Sequence, residues 1–461
     1  MSKTLPFDFS FPQSLNRRQA IRMLAAAGCV AASGCGGGGA TSGGGGSGSS
    51  NWPPSLPVGT WAPSAADLSF LDDMEQQACL YFWEQANATN GQVLDRAANN
   101  LNGAMDTRII SSIAATGFGL AALCIADSRG YQPHADILAR VQATLAFHLN
   151  QMPEENGFFY HFNNVGTGQP LSGTEVSSID TAILMCGVLT ARAYFNDATV
   201  TSLATQLYER VNWPWMLNGG TTFAQAWYPA SGFASYRYDT YCELMMLYLL
   251  AIGSPTYPIA ASYWANFTRP SMSYQGYTYI SSASDPLFTH QYAHAWFDFR
   301  AKKDAYANYF TNSINATQAH ETWCLAYPSV NAPYYTENYW GVTSSDSASG
   351  YKAWGGPPAF GSPDGSVVPC AAAGSLVFLP NQCMQVLRAL RTSYSKAWGR
   401  YGFVDAFHPS ANWYNADVLG IDLGIGLLMA ENLRTQLVWN TFMNNSECAQ
   451  AVTLAGFTAQ S

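Results

Sequence analysis

The sequence predicts an all-α fold, an α/α toroid with long aromatic loops and short β-hairpins at its cleft end. Three observations carry that reading. From Ala65 onward the dominant hydrophobic period is helical. Residues 241–252 hold one charge, Glu243, and residues 418–430 hold one, Asp422. Helices apolar on all faces are buried between layers. Between the helices lie aromatic, Gly/Ser-rich loops at 157–172, 219–238, 332–369 and 397–416.

The elements follow in order. Leu68, Leu71, Met74, Ala78, Tyr81 and Phe82 line one face of a first helix. Helices are expected at 109–126, at 135–149 behind Pro133, at 175–195 and at 199–211. Others are expected near 239–252, 259–267, 287–299, 303–327, 381–394, 418–442 and 446–455. About twelve helices in an inner and an outer ring close a toroid. Gly157-Phe158-Phe159-Tyr160-His161-Phe162 reads as a short hairpin within a loop. There is no strand-rich second domain and no short-period repeat.

Composition narrows the function classes. Of 461 residues, 48 % are hydrophobic and 11 % charged, so a large core is available and each buried carboxylate needs a reason. The net charge of −9 lacks the basic footprint that nucleic acid requires. It also disfavours polyanionic sugars. The 14 Trp, 26 Tyr and 24 Phe suit a core, and in loops their flat rings suit the C–H face of a pyranose.

The N-terminus reads as residues 1–35 export signal, 36–60 Gly/Ser/Pro-rich linker and 61–461 one catalytic-sized domain. Arg17-Arg18 precede an Ala-rich run from Met23 to Ser33, a twin-arginine-like pattern too short to span a bilayer. Ala32-Ser33-Gly34-Cys35 resembles a lipoprotein cleavage box, which makes Cys35 the candidate lipid attachment; Cys29 is a weaker rival, and a plain secretory signal is the alternative. Gly36 to Ser50 behaves as a flexible coil whose ends lie on the order of 20 Å apart. An exported, periplasmic, lipid-anchored monomer is expected. Cys79, Cys124, Cys186 and Cys242 fall in apolar helical runs and read as buried thiols; Cys324, Cys370, Cys383 and Cys448 have no assignable connectivity.

Four carboxylates stand out. Glu243 lies in an otherwise apolar helix after Asp239, a candidate N-cap. A carboxyl partly removed from water holds its proton more readily, as a general acid must. The structural alternative is a salt bridge to Arg237 or Arg300. Asp422 sits between Gly420-Ile421 and Leu423-Gly424, where small residues allow a helix or ligand to approach; a capping role is its alternative. Asp180 shares the apolar face of Val176, Ile179, Ile183 and Gly187, so it either caps, pairs or faces a polar cleft. Glu175 in Ser172-Gly173-Thr174-Glu175 fits a capping box equally well. Glu431 is assigned to an i,i+3 pair with Arg434.

His290 and His294 stand at a metal-ligand spacing, but Gln291 occupies the place of the zincin glutamate and no third ligand is evident. Hydrogen bonding to sugar hydroxyls is the better use. Asp298 and Arg300 are expected to pair. No phosphate loop, dinucleotide fingerprint or nucleophile elbow occurs. No metal and no cofactor are expected.

Several segments together resemble a known family. They are Gly117-Phe118-Gly119-Leu120, Glu175-Val176-Ser177-Ser178-Ile179-Asp180-Thr181-Ala182, Tyr241-Cys242-Glu243 and Leu287-Phe288-Thr289-His290-Gln291-Tyr292. Tyr351-Lys352-Ala353-Trp354-Gly355-Gly356-Pro357-Pro358, Asp364-Gly365-Ser366-Val367-Val368-Pro369, Gly402-Phe403-Val404-Asp405-Ala406-Phe407 and Gly420-Ile421-Asp422 complete the set. Over residues 67–442 the chain resembles the bacterial glucoamylase-like glycoside hydrolases that include the endo-β-1,2-glucanases. The resemblance implies an (α/α)6 barrel, metal-free hydrolysis of β-1,2-glucan, Glu243 as general acid and Asp422 as general base. One departure is Leu423, where the family motif carries Gln.

The expectation is therefore a hydrolase of a neutral β-glucan, with an oligo- or polysaccharide as its partner. Glu175, Asp180, His290, His294, Arg300 and Asp405 are candidate substrate-binding residues. Trp340, Tyr351, Trp354 and Trp413 are candidate stacking platforms. A transglycosylating enzyme would use the same residues. A polysaccharide lyase would need cations for a uronate, and 21 Lys plus Arg disfavour it. A glycan-binding lipoprotein would give buried lone carboxylates no purpose.

Overall fold

The computed structural model describes residues 61–282, 284–328 and 334–460. The export signal, Cys35 and residues 36–60 of the linker lie outside them. The described residues are mostly helical, at 47 %. Among the described residues no helix is long and apolar enough to cross a membrane.

Helix α1 (Ala65–Glu84) starts at Ser64. The Ser64 hydroxyl accepts from the Asp67 amide, and the Asp67 carboxylate accepts from the Ser64 amide. Leu71, Met74, Ala78, Tyr81 and Phe82 are buried as their spacing requires, whereas Leu68 is 41 % exposed. Then come α2 (Ile113–Arg129), α3 (His134–Asn150), α4 (Ser178–Phe195), α5 (Ala198–Glu209), α6 (Trp213–Leu217) and α7 (Met245–Gly253). Next are α8 (Tyr292–Trp296), α9 (Tyr309–Ala326), α10 (Pro369–Ala373) and α11 (Pro380–Ser393). The chain closes with α12 (Gly420–Arg434), α13 (Leu437–Phe442) and α14 (Ser446–Leu454).

Two layers form from these helices. Helices α2, α4, α7 and α12 are buried along nearly their whole length. Helix α2 packs between α4 and α12, and α4 also packs against α7. Helix α1 covers α2 and α12, while α3 and α5 pack together and onto α2 and α4. The α2–α4 crossing is backbone on backbone. A Cβ on Gly117 would sit 2.5 Å from the Ile183 carbonyl, and one on Gly187 would overlap the Gly117 carbonyl. A Cβ on Gly424 would overlap the Phe118 ring, so this glycine serves the α12–α2 contact rather than a ligand.

Helix starts fall later than the hydrophobic period suggests. Residues 109–112 and 175–177 belong to short strands or their approaches, and Ser112 and Ser177 are the N-caps. A serine hydroxyl that accepts an N3 amide fixes the first turn. The expected helix 239–252 begins only at Met245, with Leu244 and not Asp239 at its cap. The 259–267 helix is a 3-10 turn at Ala261–Ala265, and 287–299 breaks into a 3-10 turn, Leu287–His290, and α8. The 303–327 helix waits for Asn308, whose side chain accepts from the Thr311 amide. The 418–442 helix divides at Gln436, where φ is 64°. Helices α6 and α10, each with proline in its first turn, carry too few residues for a periodic signal.

The 157–162 hairpin is shared between two ladders. Asn156-Gly157, at φ 54° and 82°, turns Glu154–Glu155 onto Phe158–Phe159, while Phe162–Asn164 pairs with Ile110–Ser112. Of the eight described cysteines seven are buried, and Cys242 is half-buried.

Candidate active site

The starts of α2, α4 and α12 are tied together by short antiparallel ladders. Asp417–Leu419, leading into α12, pairs with Arg96–Ala98, and the Asp95 amide donates to Ile110 at 2.9 Å. Ile110–Ser112, leading into α2, pairs with Phe162–Asn164. The His161 amide then donates to the Glu175 carbonyl at 2.9 Å. Val176–Ser177, leading into α4, pairs with Ala226–Tyr228, whose hairpin runs on to Arg237–Tyr238 and the turn before α7. On the other side the Asp405 amide donates to Asp417 at 3.0 Å, the Asp346 amide to the Asp405 carboxylate at 2.8 Å, and the Gly356 amide to Asp285 at 3.3 Å. A belt of hydrogen bonds thus joins one set of helix starts, and the predicted carboxylates lie along it.

Asp422 is buried in the first turn of α12. A helix N-terminus presents unpaired amides and a positive dipole end, which favour a carboxylate. Glu243 is buried in the turn that enters α7, two residues before the helix. Its candidate salt-bridge partners are engaged elsewhere: Arg237 with Thr222 and Leu217, and Arg300 with Asp298 and Gln436.

Asp180 and Glu175 converge on a residue that sequence reasoning left among the hairpin residues, His161. Its Nδ1 lies 3.1 Å from Glu175 Oε1 and 3.4 Å from Asp180 Oδ2, and its ring stacks on Phe162 at 3.8 Å. Glu175 is therefore not the acid of a capping box, because the helix starts only at Ser178 with Ser177 as its N-cap. Burial pulls the Glu175 pKa up, but the hydrogen bond and positive charge of His161 outweigh it and leave the carboxyl below its ordinary value. Asp180 combines two uses. Its Oδ2 accepts from the Ser177 hydroxyl at 2.6 Å, which completes the cap of α4, and it faces His161.

Asp405 lies in an acidic cluster around Arg96. Asn415 donates to both Asp405 (3.1 Å) and Asp346 (3.0 Å), and Arg96 Nη1 reaches Asp346 at 2.7 Å. Burial pulls the Arg96 pKa down, but Asp95, Asp346 and Asp405 push it above its ordinary value. Arg108 grips Asp417 with two bonds, at 2.6 and 2.7 Å. Sequence reasoning singled out none of Arg96, Arg108, Asp346 or Asp417; a charge in a chain this poor in charges was the available signal.

Other candidates fall away from the belt. His294 is packed against Phe299, Phe310 and Phe378 with Nε2 3.1 Å from the Ser313 hydroxyl. Burial, aided by His290, lowers its pKa to about 3, so it is a neutral core histidine. His290 is 1 % exposed and reaches Tyr241 rather than a cleft. Arg300 forks onto Asp298, as expected, and also binds Gln436 just past the end of α12. At ~1.5 Å per residue that places Arg300 roughly 20 Å from Asp422 along the helix. Trp340 and Trp354 are 0 % and 1 % exposed and cannot serve as open platforms; Trp354 Nε1 donates to Gly361 at 3.0 Å. Tyr351 and Trp413 remain half-buried at strand ends beside Ser344–Ser345 and Asn415. Glu431 pairs with Arg129 at 2.6 Å, while Arg434 turns to Glu75.

Comparison with known proteins bears out the resemblance read from the motifs. A family model described as "Glycoamylase: Putative glucoamylase" matches residues 235–446. A curated exo-β-1,2-glucooligosaccharide sophorohydrolase (non-reducing end) of Parabacteroides distasonis is 27 % identical over 425 residues. The match takes in 84 % of this chain but only 57 % of that relative's length. Among solved structures, the endo-β-1,2-glucanase of Chitinophaga pinensis, in complex with sophorotriose and glucose, is 27 % identical. It matches over 86 % of this chain and 99 % of its own, with a TM-score of 0.77. The β-1,2-glucanase of Parabacteroides distasonis shares the fold at 24 % identity, 86 % and 60 % coverage and a TM-score of 0.77.

Proposed function

We propose that this protein is a glycoside hydrolase that cleaves a neutral β-1,2-glucan internally, with Glu243 as general acid and Asp422 as general base. The observation that carries the reading is the placement of these two buried carboxylates. Each stands at the start of an apolar helix, and one belt of hydrogen bonds links the two starts. The action of the similar proteins on β-1,2-linked glucans supports the substrate class. The alternation along the chain fits an (α/α)6 barrel. Its inner members would be α2, α4, α7, α8, α10 and α12, and its outer ones α1, α3, α5, the 261–265 turn, α9 and α11.

In this mechanism Glu243 gives its proton to the leaving glycosidic oxygen. Asp422 takes a proton from the attacking water, directly or through a substrate hydroxyl. An inverting pair stands roughly 6.5–9.5 Å apart to admit that water. Glu175, Asp180 and Asp405 present acceptors to sugar hydroxyls, and Tyr351 and Trp413 offer apolar faces. Anchoring to a membrane through a lipid on Cys35, in the periplasm, belongs to the same proposal. The test is a panel of linear β-1,2-glucan, β-1,3-glucan, cellulose and starch, with release of reducing ends as readout. Short mixed oligosaccharides from β-1,2-glucan are expected first. Preference for starch would overturn the linkage, and disaccharide as the sole early product would overturn internal cleavage.

A further inference from the structure

Glu243 stands in a turn, outside the helix that follows it, so regular helical hydrogen bonding does not fix its position. Tyr241, two residues earlier, is one anchor of that turn. Tyr241 is fully buried, its amide donates to Thr268 at 2.8 Å, and its ring lies parallel to Tyr309 at 6.1 Å. Its hydroxyl is 3.2 Å from His290 Nδ1, and His290 Nε2 is 3.5 Å from Asp285 Oδ1. Asp285 is held by the Ser281 hydroxyl at 2.6 Å and the Ser282 amide at 2.7 Å. At the other end Asn312 Nδ2 donates to the Tyr241 hydroxyl at 3.4 Å, and its Oδ1 accepts from the Ile280 amide at 2.6 Å.

One proton arrangement fits the hydroxyl end of the chain, and at the other end His290 Nε2 faces Asp285 Oδ1 at 3.5 Å without a hydrogen bond. A carboxylate only accepts, so His290 carries its proton on Nε2, facing Asp285. Nδ1 is then an acceptor, and Tyr241 donates to it while accepting from Asn312. Burial holds the Tyr241 phenol above its ordinary pKa, so it keeps the proton it donates.

We propose that Asp285, His290 and Tyr241 form a buried positioning relay that holds the turn carrying Glu243 in its proton-donating geometry. The inference rests on the assignment of Glu243 as general acid. His290 is thereby a positioning residue, with no contact to substrate. The relay also ties the turn to the Gly356 segment, whose amide donates to the Asp285 carbonyl at 3.3 Å.

A leaving group that needs no proton separates positioning of the acid from general damage. The test compares linear β-1,2-glucan with a β-1,2-glucooligosaccharyl fluoride, whose fluoride departs unprotonated. Tyr241→Phe keeps the ring and removes one hydroxyl. It should lower kcat on glucan by on the order of tenfold or more with KM nearly unchanged, and leave fluoride turnover within about twofold. His290→Asn, whose amide oxygen can replace Nδ1, should retain more glucan activity than His290→Leu. Equal losses on both substrates, or none on glucan, would overturn the relay. Glu243→Gln serves as the reference and should show the same selectivity in fuller form. If Glu243→Gln loses both substrates alike, the acid assignment itself fails and the relay with it; if it shows the selectivity and Tyr241→Phe does not, only the relay fails.

Discussion

His161 Nδ1 lies 3.1 Å from Oε1 of Glu175, a contact between the end of one hairpin and the approach to α4 that also joins two ladders of the belt. It gives Glu175 a histidine partner at the site, and it has a consequence for stability. The Glu175 carboxyl lies below its ordinary value of 4.5 in the folded protein. The stabilisation is therefore fully present above the carboxyl range of the unfolded chain and is lost as pH falls through the folded value. Melting temperature followed from about pH 6 down to about pH 3 should decline less steeply in Glu175→Gln than in the parent. Parallel curves would show that the pair contributes nothing to folding.

On the proposed assignment, Glu243→Gln and Asp422→Asn each remove proton transfer and little volume. Turnover of linear β-1,2-glucan should fall by on the order of 10²–10⁴-fold, with glucan affinity by calorimetry largely retained. Proton NMR of the fresh product should show inverted anomeric configuration. If both variants keep most of their turnover, the search moves to Asp180, Glu175 and Asp405.

The α2–α4 contact has no room for a side chain. Gly187→Ala puts a methyl against the Gly117 carbonyl, where backbone cannot rotate aside. Overpacking of this kind costs about 1–3 kcal/mol, sometimes more. Urea denaturation should register that loss. The opposite outcome, a gain from higher helix propensity, would mean that the two helices can part without penalty.

Lipid attachment at Cys35 makes a prediction independent of the fold. Cys35→Ala should move the protein from the membrane fraction to the soluble periplasm of its host. An unchanged distribution would leave the signal as a plain secretory one.

Much of the helical framework was legible because periodicity is a local property. The buried stripe of α1 and the all-round burial of α2, α4, α7 and α12 follow from residue spacing alone. The lone charges Glu243 and Asp422 were visible for the same reason: a carboxylate in an apolar run stands out without any contact being known. Helix starts were less legible. Ile110–Ser112 and Val176–Ser177 continue the apolar pattern of the helices behind them, yet their backbones pair with strands about 50 residues away in sequence.

What the sequence determined by itself is the helical class, the apolar inner helices and the short set of carboxylates worth testing. Tertiary structure alone decided which polar groups meet. Arg129 reaches Glu431 across 302 residues of sequence, and Arg108 reaches Asp417 across 309, so no local rule could pair them. It also sorted the aromatic and histidine candidates. Trp340 and Trp354 are core, while Trp413 and Tyr351 are half-open, although all four lie in similar Gly/Ser-rich loops. The physical reason is common to both cases. Burial and pairing depend on which surfaces the helices bring face to face, and a side chain's chemistry states only what it needs, not what it meets.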